Sequence, residues 1–356
     1  MNTLLPAFPP QMDLETPAVL RALVTAHRHL AELKGMARTI PNESLLISTL
    51  SLQEAQSSSE IENIITTQDA LYKQRIQPES ADPVSKEVAH YADGLYVGFA
   101  RVREQQAISL NTILEIQAAL EGNQAGFRKL PGTILKNELT GEVIYQPPAP
   151  DQVPALMAGL EGFMHAGNPL DPLIKMALIH HQFESIHPFY DGNGRTGRIV
   201  NILYLVKEGL LDTPILYLSR YIRHTKDDYY HHLQAVRTTQ AWEEWLIYML
   251  NGVAVTARHT TQLVEAIRTL LQKLKHRIRE GHKFYSQELL NNIFRHPYTK
   301  VAFLQEELGV SRATAARYLD ALTEDDILHK ERLGRENYYI NHALVNLLFN
   351  LPPMEI

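Results

Sequence analysis

The sequence predicts a mainly α-helical chain with a β-hairpin near its middle and a C-terminal winged helix-turn-helix. Three observations carry that prediction. Apolar residues recur at helical spacing over residues 13–35, 43–75 and 85–105. Two β-prone runs, Thr133–Leu135 and Glu142–Tyr145, flank a turn-like Lys136–Gly141. Residues 283–350 read as short helices followed by strand, turn and strand.

The remaining elements follow in order. Pro147, Pro148, Pro150 and Pro154 punctuate the return from the hairpin. The stretch from Pro172 to Glu184 is helix-forming, and Pro188 should stop that helix and hold His187 extended. A second apolar helix starts near Asn193. Residues 241–280 read as one or two helices, the later part charged, with Gly281 and His282 breaking the pattern. Helical patterns over 286–295, 300–308 and 311–323 then surround the bend Leu308-Gly309-Val310-Ser311, with Ser311 as an N-cap. Ala315, Tyr318, Leu319 and Leu322 should face the core, and Thr314 and Arg317 should point outward. A strand pair over Ile327–Ile340 turns at Gly334. The organisation expected is an N-terminal helical region (1–108), a core (109–255), a connecting helix (256–282) and the C-terminal module (283–356).

Composition narrows the function classes. The 356 residues carry 34 basic and 40 acidic side chains, a net charge of −6, so the whole molecule is not a general polyanion binder. There is no cysteine, which excludes disulfides and thiolate chemistry and permits a cytoplasmic setting. The N-terminus lacks the basic start and apolar core of a signal peptide, and no run approaches a membrane span; residues 199–206 are far too short.

Residues 187–198, His-Pro-Phe-Tyr-Asp-Gly-Asn-Gly-Arg-Thr-Gly-Arg, concentrate the chemistry. Gly192, Asn193 and Gly194 stand at a helix start, where backbone N–H groups and the helix dipole favour an anion. The glycines let a phosphate approach the backbone. Arg195 and Arg198 are three apart, so both guanidinium groups lie on one helix face and can fork onto phosphate oxygens. Asp191 offers a hard oxygen ligand suited to Mg²⁺ bound together with phosphates. His187 alone in this loop has an ordinary pKa suited to proton abstraction near neutrality.

These twelve residues resemble the signature of the Fic domain family, His-Pro-Phe-x-Asp/Glu-Gly-Asn-Gly-Arg-x-x-Arg, and match every fixed position. The resemblance implies a Fic-type helical core with a hairpin flap and a Mg²⁺-dependent transfer of AMP from ATP to a Ser, Thr or Tyr hydroxyl. His187 would be the base and Asp191 the Mg²⁺ ligand. Residues Gly192, Asn193, Gly194, Arg195, Thr196, Gly197 and Arg198 would bind ATP, the two arginines on the β- and γ-phosphates. Relatives that act as kinases carry Lys in place of the second glycine, and Gly194 argues against that branch.

Three further segments extend the resemblance. Ser58, Glu62 and Asn63 match an inhibitory pattern, Ser/Thr-x-x-x-Glu-Gly/Asn, which implies autoinhibition: Glu62 pairs with Arg198 and takes the γ-phosphate's place. The same residues also read as a helix-start capping box. In some relatives this glutamate assists removal of AMP. Thr133, Ile134 and Leu135 are the candidate flap residues, which would hold a target segment as an added strand. Tyr229 and Tyr230 resemble a pair lying near the nucleotide. His224, His231 and His232 make a poor chelate, because adjacent helix residues diverge.

The partners expected are ATP and a target protein, with the chain itself as one target and a second copy as a further partner. Residues 283–340 balance eight basic against nine acidic residues. Arg312, Arg317, Lys330, Arg332 and Arg335 could gather on one face, for DNA or for protein. The alternative function is therefore a DNA-binding transcriptional regulator whose Fic domain senses a nucleotide.

Overall fold

The computed structural model describes residues 5–350 and 354, except 41, 78, 80, 81, 137–140, 142, 168, 334 and 335, and excepting the side chains of 76 and 333. The expected turn over 137–140, Glu142, Gly334 and Arg335 lie outside the described residues.

Two helices form the centre. α7 (Pro172–Ile186) is buried from Leu173 onward, and α8 (Asn193–Lys207) is buried through most of its length. Helices buried on every face must be apolar on every face, or satisfy each polar group internally. Around this pair lie α4 (Pro83–Gln105), α5 (Leu110–Glu121), α6 (Val153–His165), α9 (Leu218–His224) and α10 (Lys226–Thr239). α4 reaches α5 and α8 closely because it carries Gly94 and Gly98. A Cβ at Gly98 would stand 2.3 Å from Leu203 Cδ1 and 2.7 Å from Ile116 Cδ1.

The N-terminal region is helical as expected, with one break that spacing alone did not reveal. α1 (Pro17–Ala37) packs along α11 (Trp242–Gly281). Residues 43–75 are two helices, α2 (Glu43–Ile61) and α3 (Gln68–Ile76), rather than one continuous pattern. Asn63 ends the first in the left-handed region (φ 63°), and the Thr67 hydroxyl accepts from Ala70 N–H to start the second. α2 is buried almost throughout between Leu45 and Ser59.

The hairpin is shorter than the sequence suggested. β1 (Leu135–Lys136) pairs antiparallel with β2 (Val143–Tyr145), placing Leu135 opposite Tyr145. Thr133 and Ile134 precede the ladder instead of joining it. The long stretch 241–280 is one 40-residue helix, so the division expected at 255/256 falls inside α11. Gly281 ends this helix and His282 caps it.

Beyond α11 come α12 (Gln287–Arg295), β3 (Tyr298–Lys300), α13 (Val301–Leu308), α14 (Arg312–Glu324), β4 (His329–Leu333), β5 (Glu336–Ile340) and α15 (His342–Phe349). The strands form an antiparallel sheet in the order β3-β5-β4. β3 was not foreseen, because three residues carry no readable alternation. Gly309 takes the left-handed conformation at the end of α13, and the Ser311 hydroxyl accepts from Thr314 N–H. Thr314 is half-buried, its hydroxyl bonded to the Ser311 hydroxyl at 2.9 Å, and Arg317 is exposed. Ala315, Leu319 and Leu322 are buried, and Tyr318 stacks on Phe284 at 4.2 Å. Among the described residues no helix is long and apolar enough to cross a membrane.

Gly98→Ala tests the close approach of α4. Alanine favours a helix over glycine by up to about 1 kcal/mol. Here that gain is outweighed, because Leu203 and Ile116 are fully buried and cannot give way. Overpacking should leave a net loss of about 1–3 kcal/mol, read as a lower urea midpoint.

Candidate active site

The twelve-residue segment joins α7 to α8 and is held from three sides. His187 caps α7 in the left-handed region (φ 50°, ψ 62°) and donates its N–H to Phe183 O at 2.9 Å. This corrects the extended geometry expected before Pro188. The five-to-one cap bond needs a left-handed residue at that position, and it sets the backbone there. Asn193 then clamps the loop: its Oδ1 accepts from Phe189 N–H at 2.8 Å and its Nδ2 donates to Phe189 O at 3.0 Å. Gly192 starts α8 with φ 73° and lies so close to α5 that an added Cβ would be 2.3 Å from Glu121 Oε1.

Arg128 is the third clamp, and sequence reasoning missed it. It is 2% exposed, donating from Nε to His187 O at 2.8 Å and from Nη2 to Pro148 O and Ile186 O. Its own N–H bonds Pro188 O. One buried guanidinium thus ties the hairpin's return strand to the motif loop. Nothing in its local pattern, Gly126-Phe127-Arg128-Lys129, distinguishes it from a surface arginine.

The arginines Arg195 and Arg198 lie 1% and 2% exposed beneath the loop. Arg195 meets Glu62 Oε2 at 3.1 Å, Glu87 Oε1 at 3.0 Å and Glu121 Oε1 at 3.0 Å, one carboxylate for each guanidinium nitrogen. Arg198 donates Nε to the Ser58 hydroxyl at 2.8 Å, and Nη2 to Ser58 O at 2.9 Å and to Glu62 Oε1 at 2.7 Å. The Glu62 carboxylate therefore spans both guanidinium groups. Burial opposes the charge on Arg198, but Glu62, Tyr229, Glu184 and Tyr91 together outweigh it and raise its pKa above the usual arginine range. Ser58 and Glu62 come from the C-terminal end of α2, with Glu62 as its C-cap. That position rules out the capping box, which belongs to a helix start. Asn63, the next residue, accepts from Lys226 Nζ at 3.0 Å.

The other expected site residues are placed as follows. Gly194 lies over the carboxylate: a Cβ there would be 2.4 Å from Glu62 Oε1. Gly197 packs on Phe183 and Glu184, and Thr196 is buried with its hydroxyl unpartnered. The Asp191 side chain is 78% exposed, accepts from Gly192 N–H at 2.7 Å and stands 3.9 Å from Arg195. Tyr229 and Tyr230 separate. Tyr229 is buried and bonds His180 Nε2 at 2.8 Å, while Tyr230 is 47% exposed with its ring edge-on to Tyr229. Thr133, Ile134 and Leu135 lead along the hairpin, and Tyr145 beneath it donates to Ser185 O at 2.8 Å. No group of three or more His or acidic residues that could hold a metal ion occurs among the described residues.

Electrostatics keep His187 neutral. Burial, then the charges of Arg237 and Arg128, push its pKa down to about 4. Its Nδ1 is buried without a well-formed hydrogen bond, and the nearby Glu184 carbonyl raises the pKa only partly. Arg237 is held over the Tyr145 ring at 3.9 Å and donates to the Ser185 hydroxyl. One turn before His187, burial lifts the Glu184 carboxyl to about 7, with Glu62 adding and Arg198 opposing. These groups were also absent from the sequence reading.

Two measurements follow. Glu62→Gln keeps one acceptor oxygen but removes the carboxylate charge that buried Arg198 faces, and should cost about 3 kcal/mol of stability, recovered when pyrophosphate is added. In an NMR titration the His187 ring should stay neutral down to about pH 4. Because that folded value is depressed, stability falls as pH drops from the ordinary histidine range toward 4, where the unfolded chain binds the proton first.

Comparison with known proteins gives this geometry a family. Residues 20–100 match the Fic/DOC family N-terminal model and residues 107–205 the Fic/DOC family model. Residues 270–344 match the C-terminal domain of protein adenylyltransferase SoFic-like proteins. A probable protein adenylyltransferase of Aquifex aeolicus is 29% identical over 178 residues, covering 49% of this chain and 53% of that protein. The protein adenylyltransferase Fic of Nematostella vectensis is 27% identical over 144 residues, covering 39% of this chain and 31% of that protein. The chain thus spans about half or less of these relatives' length. Among solved structures, a Fic family protein of Desulfovibrio desulfuricans shares the fold at TM-score 0.58 and 21% identity, covering 94% of this chain and 98% of that one. Fic-1 of C. elegans does so at 0.51 and 18%, over 71% and 73%. With its twelve-residue loop, its buried arginine pair and all three models in chain order, the protein belongs to the Fic/DOC family.

Proposed function

We propose that this chain is a protein adenylyltransferase, moving AMP from ATP to a hydroxyl of a protein, and that Glu62 restrains it. The observation that carries this is the Glu62 carboxylate bridging Arg195 and Arg198 at a Gly-rich helix start, beside a neutral histidine. A carboxylate and a phosphate oxygen compete for the same guanidinium donors. Glu62 leaving would open two forked cations and the α8 N-terminus to the terminal phosphates of ATP. The relatives' names point to the same activity.

In this mechanism His187 takes the proton of a Ser, Thr or Tyr hydroxyl, and the oxygen attacks the α-phosphorus. Pyrophosphate departs into the cradle of Arg195 and Arg198. Catalysis rests on positioning and charge neutralisation, which the rigid loop supplies in advance. Gly192 and Gly194 keep the cradle free of side chains, Asn193 holds the loop's shape, and Tyr230 borders the nucleoside. The flap from Thr133 to Leu135 offers exposed backbone ahead of a short ladder, to which an extended target segment can add. The Asp191 carboxylate fits Mg²⁺: it is exposed, at the mouth of the cradle, and a single carboxylate shared with phosphates is that ion's usual binding mode. Bound there, Mg²⁺ would neutralise phosphate charge. In this proposal Glu62, once displaced from the arginines, also assists AMP removal.

The regulator alternative is disfavoured by charge. Of the expected face, Lys330 is committed to Asp320 at 2.6 Å, and elsewhere in the C-terminal module Lys300 pairs with Glu336 at 3.2 Å and Arg295 with Glu307 at 3.3 Å. Cations committed to internal carboxylates are poor phosphate contacts. The module is better suited to a protein contact, its first helix packing on α2 through Arg295 Nη2 to the Ser44 hydroxyl at 2.9 Å.

Incubation with labelled ATP and Mg²⁺ is the test. Glu62→Gly should raise label on protein well above wild type, and adding His187→Ala should lower it by about 10²- to 10⁴-fold. Equal labelling of wild type and Glu62→Gly rejects the restraint. A DNA shift with no label in any variant rejects the activity. The rate in Glu62→Gly should fall as pH drops through about 4, where His187 gains its proton.

A further inference from the structure

Glu62 ends α2, in a turn that leads into α3. Both helices are fastened to the C-terminal module. On the α2 side, Arg295 Nη2 donates to the Ser44 hydroxyl at 2.9 Å, and the Ser48 hydroxyl meets Arg295 O at 3.2 Å. Further along the same helix, Gln53 Nε2 donates to Leu348 O at 2.6 Å. On the α3 side, the Tyr298 hydroxyl donates to Asp69 Oδ1 at 2.6 Å. The Tyr72 ring stacks on Tyr298 at 5.6 Å and on Phe349 at 5.9 Å. α12, β3 and α15 therefore hold the chain on both sides of Glu62, at Gln53 before it and at Asp69 after it.

These contacts matter because α2 is a polar helix in a buried position, with Ser48, Ser51, Gln53 and Ser57 all inside. Apolar burial alone does not fix such a helix; the partners its polar groups find set its place. Gln53 is 5% exposed, so little water competes for its bond to Leu348. The module reaches α2 because α11 runs unbroken from Trp242 to Gly281, and α15 packs back on α11. Glu54 anchors the middle of α2 independently, accepting from the Tyr91 hydroxyl at 3.2 Å and Ser219 N–H at 3.3 Å. Losing one module contact should therefore loosen the segment without detaching it. A turn whose two flanking helices are both pinned opens less often than one pinned on one side.

We infer that the C-terminal module is a brace on the segment that carries Glu62. Docked on α2 and α3, it keeps that carboxylate on Arg195 and Arg198, and loosening the contact raises the activity. Restraint is then set by a domain contact as well as by a carboxylate. This rests on the restraint by Glu62 proposed above.

Two conservative variants of the full chain test this. Tyr298→Phe removes the hydroxyl that bonds Asp69 and keeps the ring. Gln53→Leu removes the donor to Leu348 and keeps the volume. With labelled ATP and Mg²⁺, each should raise label on protein by about fivefold, the effect of one lost hydrogen bond on a local opening. Neither should raise it further in the Glu62→Gly background, where no carboxylate is left to hold. Hydrogen exchange over residues 53–72 should quicken by a similar factor, with α7 unchanged. A rise with one variant alone still supports the brace, because the two contacts lie on different helices. Label raised by Glu62→Gly but by neither variant overturns the brace and leaves the restraint by Glu62 standing. An equal change of label in both backgrounds overturns it too, since that is a general effect on the enzyme. If Glu62→Gly raises no label, the restraint itself falls, and exchange alone decides whether the module holds the segment. Unchanged exchange over residues 53–72 in both variants overturns the brace in every case.

Discussion

Everything around the candidate site depends on where one carboxylate sits. Glu62 reaches Arg195 and Arg198 together, at 3.1 and 2.7 Å, and both guanidinium groups are almost completely buried. Such cations need matching charge, because an unpaired one in the interior costs several kcal/mol. The protein meets that need with α2, a helix buried for most of its length whose last turn delivers Ser58 and Glu62 to the same guanidinium. Arg195 also holds Glu87 and Glu121, from α4 and α5. The arginines of one loop thereby fasten α2, α4 and α5 around α8. In the proposed activity this arrangement has a cost: the most favourable partner for the cradle at rest is internal.

The loop itself is rigid for reasons separate from the arginine cradle. Arg128 collects the carbonyls of Ile186, His187 and Pro148, and Asn193 closes a two-bond ring with Phe189. These contacts hold His187 in a left-handed cap, where burial and then the charges of Arg237 and Arg128 keep its ring uncharged. Position and protonation state thus come from the same residues. Charge also ties α2 to α9, where Glu60 meets Arg223.

Much of this was legible in the residues. Helical spacing located the helices, and the dozen from His187 to Arg198 located the site, because a base, a hard ligand, a Gly-rich turn and two arginines rarely fall together by chance. The misses have physical causes. The break at 62–67 escaped because α2 is buried on all faces and has no amphipathic stripe to end. β3 was too short to show alternation. His187 departed from the pre-proline preference because a cap bond to Phe183 outweighed it. Tyr229 and Tyr230, alike in sequence, went to opposite environments because adjacent helix positions diverge.

The sequence by itself determined the helical class and the chemistry of the dozen, and its resemblance to the Fic family offered Glu62 as a partner for Arg198. The first two depend on local spacing and on residue type, which neighbours in the chain carry. Only the tertiary structure decided which distant charges meet. Glu87 and Glu121 on Arg195, Arg128 on the loop carbonyls, and Arg237 beside His187 join positions tens of residues apart. Their side chains read as ordinary surface charges until packing removes the water between them. Burial then turns a carboxylate or a guanidinium into a partner the cradle cannot do without, and burial is a property of the fold.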